Sequence, residues 1–135
     1  MTPPEDTFWA AVDAIRERNP RYPREAYAFL MGALADTVRR LPPERASDPA
    51  RRHLSGQELV AGVIGLARRE FGIMAPTVFR EWGVMEGEDV GRMVFDLVES
   101  GQLSARPEDG PQDFLGVPDL PRLLGAGISL GDSQA

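Results

Sequence analysis

Apolar residues fall at helical spacing along most of this chain. Phe8, Trp9, Val12 and Ile15 predict a helix from about Thr2 or Pro3 to Arg18, stopped by Asn19-Pro20. Tyr22-Pro23 opens a second, with the proline in its first turn, and Tyr27, Leu30, Met31, Leu34, Val38 and Leu41 form its stripe. Residues 42–54 carry three prolines and no clear period, which predicts a loop. Ser55-Gly56-Gln57-Glu58 then reads as a capping box, in which serine and glutamate side chains satisfy each other's backbone amides, and a third helix follows to Phe71. Its apolar face is broad (Leu59, Val60, Val63, Ile64, Leu66, Ala67, Phe71), so it is expected at the centre of the fold. Gly62 and Gly65 are costly in a helix interior, and close packing against another helix is the expected compensation.

Gly72 ends that helix, residues 76–82 supply a short fourth, and Gly83 stops the chain again. A fifth helix spans about 86–100, with Val90, Met93, Val94, Leu97 and Val98 on one face and Glu88, Asp89, Arg92, Asp96 and Glu99 on the other. Segments 101–106 and 113–117 flank a Pro-Glu-Asp-Gly-Pro-Gln turn, which predicts a short β-hairpin. Beyond Pro118 only Leu120 to Leu124 is apolar, so 119–135 is expected to be a mobile tail. The fold expected is mainly α, one domain over 1–118. A helical pair at 2–41 would pack on a three-helix unit with a hairpin at 55–117, an order that resembles a winged helix.

Composition narrows the chemistry. The 135 residues include 42% hydrophobic and 27% charged side chains, which suits a folded domain. No cysteine is present, which excludes disulfides, thiolate metal sites and a cysteine nucleophile. The first residues lack a basic segment followed by an apolar run, and no stretch is apolar enough to span a membrane, so a cytoplasmic protein is expected. All fifteen cations are arginine. Residues 1–54 hold nine arginines against eight acids, whereas 55–135 hold six against thirteen. That second part should repel polyanions.

A winged helix often reads DNA, and the fifth helix would then lie in the major groove. Its polar face sums to −3, and the hairpin tip adds Glu108 and Asp109, so DNA reading through 86–100 is disfavoured. The most basic segment is instead Arg39, Arg40, Arg45, Arg51, Arg52 and His53, ending on the amides at Ser55 and Gly56, where a helix dipole and guanidinium groups could hold an anion together. Arg39 and Arg40 also serve as cations at a helix carboxyl end. His53 is the lone histidine, and no nucleophile-elbow, phosphate-loop or zinc-protease spacing accompanies it. No cofactor or metal is implied: Glu86, Glu88 and Asp89 read as dipole complements in a first turn. Trp9, Tyr22, Tyr27 and Trp82 are the aromatics most able to anchor a partner, and Tyr22, Tyr27 and Trp82 are the ones placed at the expected contact surface.

The stretches Asn19-Pro20-Arg21-Tyr22, Glu25-Ala26-Tyr27, 52–59, Phe71-Gly72-Ile73-Met74-Ala75, Trp82-Gly83-Val84 and Glu88-Asp89-Val90-Gly91 resemble a small bacterial family that carries no assigned activity. The resemblance spans about residues 8–117 and implies no catalytic residue. The reading that follows is a non-enzymatic module that binds another protein through the arginine loop and the edges of Tyr22, Tyr27 and Trp82. Two alternatives remain at this point: nucleic-acid or nucleotide-phosphate binding through 39–53, and an enzyme using His53 with a nearby carboxylate.

Overall fold

The computed structural model describes residues 4–48, 54–103, 114 and 116–126. The chain forms α1 (Pro4–Arg18), α2 (Arg24–Arg39), a short α3 (Pro43–Ala46), α4 (Gly56–Phe71), a 3-10 turn (Gly72–Met74), α5 (Ala75–Trp82), α6 (Gly87–Glu99) and α7 (Leu120–Ala126). Pro23 stands in extended conformation as the cap before α2 rather than inside its first turn. The capping box at the start of α4 is formed: Ser55 Oγ accepts from the Glu58 amide at 3.0 Å, and Glu58 Oε1 accepts from the Ser55 amide at 2.9 Å. Gly72 and Gly83 take φ of 53° and 75°, a region costly for any side chain, and so turn the chain out of α4 and α5.

The helix α4 packs against α2, α5, α6 and α7, as its broad apolar face requires. Leu59, Val60, Val63 and Ala67 from α4 join Leu30 and Ala33 from α2, Phe79 from α5, and Val90, Met93 and Leu97 from α6 in one buried cluster. On the outside, Arg24 stacks over the Trp9 ring at 4.4 Å and pairs with Asp13 at 2.9 Å, fastening α2 to α1.

Three expectations need correction. The residues after Pro118 do not begin as a tail: Leu120 and Leu124 are fully buried, and α7 packs on α5 and α4. Asp119, at φ 54°, accepts from the Arg122 amide and starts that helix. The segment 42–54 is not loop throughout, because Pro43 fits a first helical position and α3 forms there. Among the described residues there is no strand. The turn of the expected hairpin and most of both arms, 104–113 and 115, lie outside the described residues, while 101–103 form a turn.

The polar face of α6 is only in part the solvated surface that its periodicity suggests. Asp89 is 3% exposed and accepts from the Tyr22 hydroxyl at 2.5 Å; one turn pair further on, Asp96 accepts from Tyr27 at 2.8 Å. Asp89 and Asp96 therefore lie in the seam between the N-terminal helices and α6, while Arg92 and Glu99 on the same face stay exposed. Among the described residues, no helix is long and apolar enough to cross a membrane.

Candidate functional site between α2 and α4

The last turn of α2 carries Asp36, Arg39 and Arg40, spaced so that both guanidinium groups reach back to one carboxylate. Arg39 meets Asp36 Oδ1 at 3.2 Å and Arg40 meets Oδ2 at 3.1 Å. Arg69, near the end of α4, crosses to the same Oδ2. Three cations thus close on a carboxylate that is only 8% exposed, while the Arg39 and Arg40 side chains stay largely in solvent and that of Arg69 is about half exposed. Burial alone would raise the Asp36 carboxyl, but the Arg40 hydrogen bond and the charges of Arg40, Arg69 and Arg39 outweigh it and hold it below the ordinary aspartate value.

A second ion pair sits nearby. Arg45 of α3 grips both oxygens of Glu58, at 2.5 and 3.3 Å, so the glutamate that caps α4 also holds α3 against it. The Arg45 hydrogen bond, followed by the Ser55 amide, keeps the Glu58 carboxyl low.

Between these clusters lies an open groove of about 330 Å³, lined by Asp36, Thr37, Arg40 and Leu41 from α2 and Glu58, Ala61, Gly62, Gly65 and Arg69 from α4. Its two glycines have different origins. A Cβ on Gly62 would collide with the Thr37 hydroxyl, which is fixed by donating to the Ala33 carbonyl at 2.7 Å. Gly62 is thus required by the close approach of α2 and α4, as the sequence suggests. A Cβ on Gly65 would meet only the Arg69 guanidinium, at an ordinary 3.5 Å, so helix packing does not explain this one.

The two alanine variants should therefore shift stability in opposite directions. Gly65→Ala gains about 0.5–1 kcal/mol from helix propensity. Gly62→Ala gains the same, but overpacking costs about 1–3 kcal/mol, so it should be the less stable protein. Urea denaturation measures both, and midpoint shifts of equal sign and size would remove the packing account.

Of the residues singled out in the sequence, Arg40 lines the groove, while Arg39, Arg45 and Ser55 reach its lining residues Asp36 and Glu58 by side-chain contacts, and Gly56 is buried at the start of α4. Arg51, Arg52 and His53 lie outside the described residues. Tyr22 and Tyr27 do not offer edges to a partner: they are 1% and 0% exposed. Burial, and then the hydrogen bond to Asp89, push the Tyr22 hydroxyl up to about 12. Trp82 is half-buried among Phe29, Phe71 and Phe79, with ring centroids 5.5–5.8 Å away. The residues that sequence reasoning missed are Asp36 and Arg69. The i, i+3, i+4 spacing of Asp36 with Arg39 and Arg40 was a readable signal, whereas Arg69 is brought in only by tertiary packing.

Comparison with protein-family models, curated proteins and solved structures finds no match for this chain.

Proposed function

We propose that this protein is a non-enzymatic interaction module that binds another protein through the groove between α2 and α4. One observation carries the reading: three guanidinium groups on partly to largely exposed side chains converge on a single buried carboxylate at the edge of an open groove. Exposed arginines on flexible stems lose rotamer entropy when they bind, and a carboxylate that already restrains them lowers that cost. Arginine is also a residue that dominates protein interfaces when its donors are aimed.

Phosphate binding through the same arginines is weakly supported. Asp36 and Glu58 already take donors from Arg39, Arg40, Arg69 and Arg45, and a chain of phosphates laid along the groove would meet these two carboxylates as well as the cations. His53, on which an enzymatic reading would depend, lies outside the described residues.

The test places a photo-crosslinking amino acid at Ala61, which is exposed in the groove, and at Glu99 on α6 as control, in the native cell. Ala61 should yield a discrete protein adduct that Glu99 does not, and reversing Arg40 and Arg69 to glutamate should abolish it. Adducts to nucleic acid, or equal labelling from both positions, would remove the reading.

A further inference from the structure

We infer that the groove receives a carboxylate-bearing, extended segment of the partner, with one acidic side chain seated between the guanidinium groups of Arg40 and Arg69 above Gly65. This deepens the interaction reading above and rests on it.

Charge comes first. Arg39, Arg40 and Arg69 converge on one carboxylate, which leaves the cluster at a formal +2. Each of them meets Asp36 through one nitrogen, whereas a guanidinium carries five N–H donors and a carboxylate about four acceptor sites. Donors therefore exceed the protein acceptors, and a second carboxylate can replace water on the donors that face solvent and offset part of the charge. A carboxylate fits better than a phosphate chain because Glu58 also lines the groove. Isolated acids can straddle a fixed anion, and a continuous row of phosphates cannot.

Shape comes second. Glu58, Ala61, Gly62, Gly65 and Arg69 lie along one stripe of α4 between positions 58 and 69, about 16 Å at 1.5 Å per step. That is the length of roughly five extended residues. Leu41, Ala61, Gly62 and Gly65 give the stripe an apolar floor that suits the methylene stem of a glutamate and the backbone beside it.

Gly65 is the third argument. Its missing Cβ is not needed by any neighbour in the fold, since only the Arg69 guanidinium tip lies within van der Waals reach. A bare backbone at the floor of a groove between two arginines lets an incoming chain approach α4 closely.

The probes are a labelled, end-blocked pentapeptide with one central glutamate among alanines, its central-glutamine counterpart and a thymidine pentanucleotide, followed by fluorescence anisotropy and by nitrogen–proton spectra of the full chain. The glutamate peptide should bind saturably and shift the Nε–H signals of Arg40 and Arg69 and the amides of residues 61–65. The glutamine peptide should not bind. Arg40→Gln and Arg69→Gln should each weaken the glutamate peptide at least tenfold, and Arg80→Gln, on exposed α5 surface, should leave it unchanged.

Because Arg69→Gln also loosens α2 from α4, Gly65→Ala decides: it keeps every charge, stiffens α4, and should still weaken the peptide about tenfold. Unchanged affinity in Gly65→Ala, equal loss in Arg80→Gln, or tighter binding of the oligonucleotide would each overturn the inference. If crosslinking at Ala61 captures a protein whose contacting segment holds no acid, the interaction reading stands and the carboxylate inference falls.

Discussion

A chain ending at Pro118 should lose most of its stability. Leu120 and Leu124 are fully buried, and Pro121 is nearly so. The helix that carries them covers α5 and the carboxyl end of α4. It is also tied by its backbone: the Leu120 amide donates to the Met85 carbonyl at 2.7 Å, and Arg68 donates to the Leu123 carbonyl at 2.8 Å. Replacing one buried leucine by alanine costs about 2–5 kcal/mol, and a domain of this size holds only about 5–15 kcal/mol in all. Losing both leucines would therefore remove roughly half of that or more. Thermal and urea denaturation should show Leu124→Ala as a cooperative but less stable protein and the truncated chain as largely unfolded at room temperature. A truncated chain with the parent's urea midpoint would mean that α7 does not contribute to the core.

This helix was the least legible part of the sequence, and the reason is its length. Asp119 ahead of the turn and Pro121 in the first positions are start signals that can be read in retrospect. Seven residues nevertheless offer a single i, i+4 apolar pair, Leu120 and Leu124, which is too little to separate a helix from chance. The longer helices were legible because α1, α2, α4 and α6 each repeat an apolar stripe over two turns or more. The glycine stops and the capping box at Ser55 are local chemistry and could be read from a few adjacent residues.

The site was legible only in half. Periodicity finds the apolar stripe of α6 but cannot tell a polar face in water from one covered by tyrosine hydroxyls. Asp89 and Asp96 meet Tyr22 and Tyr27 across 67 and 69 residues of chain, so no local pattern reports the pairing. The same holds for Arg69, whose link to Asp36 spans 33 residues. Tyr22 and Tyr27 looked like anchors for a partner because aromatic rings with polar tips suit interfaces. They are anchors, but between parts of one molecule.

Substituting Asp89 should be the most damaging single change at that seam. Its carboxylate accepts from the Tyr22 hydroxyl, from Arg92 at 2.7 Å, and from the amides of Met85 and Glu86 at 2.9 and 3.0 Å. Asp89→Ala strands a buried hydroxyl and the amides at the start of α6, and breaking a buried, charge-assisted cluster from one side costs about 3–5 kcal/mol. Tyr22→Phe leaves the arginine and both amides in place and should cost nearer 1–2 kcal/mol.

The two variants should also alter opposite ends of the pH profile. Burial raises the Asp89 carboxyl, but Tyr22, the two amides and Arg92 more than offset it, so its folded value lies below the ordinary 3.8. The unfolded chain then takes up a proton first, and the stability Asp89 supplies is present above that value and lost as pH falls through the lower folded one. Tyr22 runs the other way: its hydroxyl is raised from 10.0 to about 12, so its contribution is complete below pH 10 and is lost between 10 and 12. Stability measured by urea denaturation should therefore fall less steeply with acid in Asp89→Ala, and less steeply with alkali in Tyr22→Phe, where the raised Tyr27 hydroxyl leaves part of the slope. An Asp89→Ala protein that matches its parent at neutral pH would show that the seam between the N-terminal helices and α6 is held by apolar packing, with the buried carboxylate a bystander.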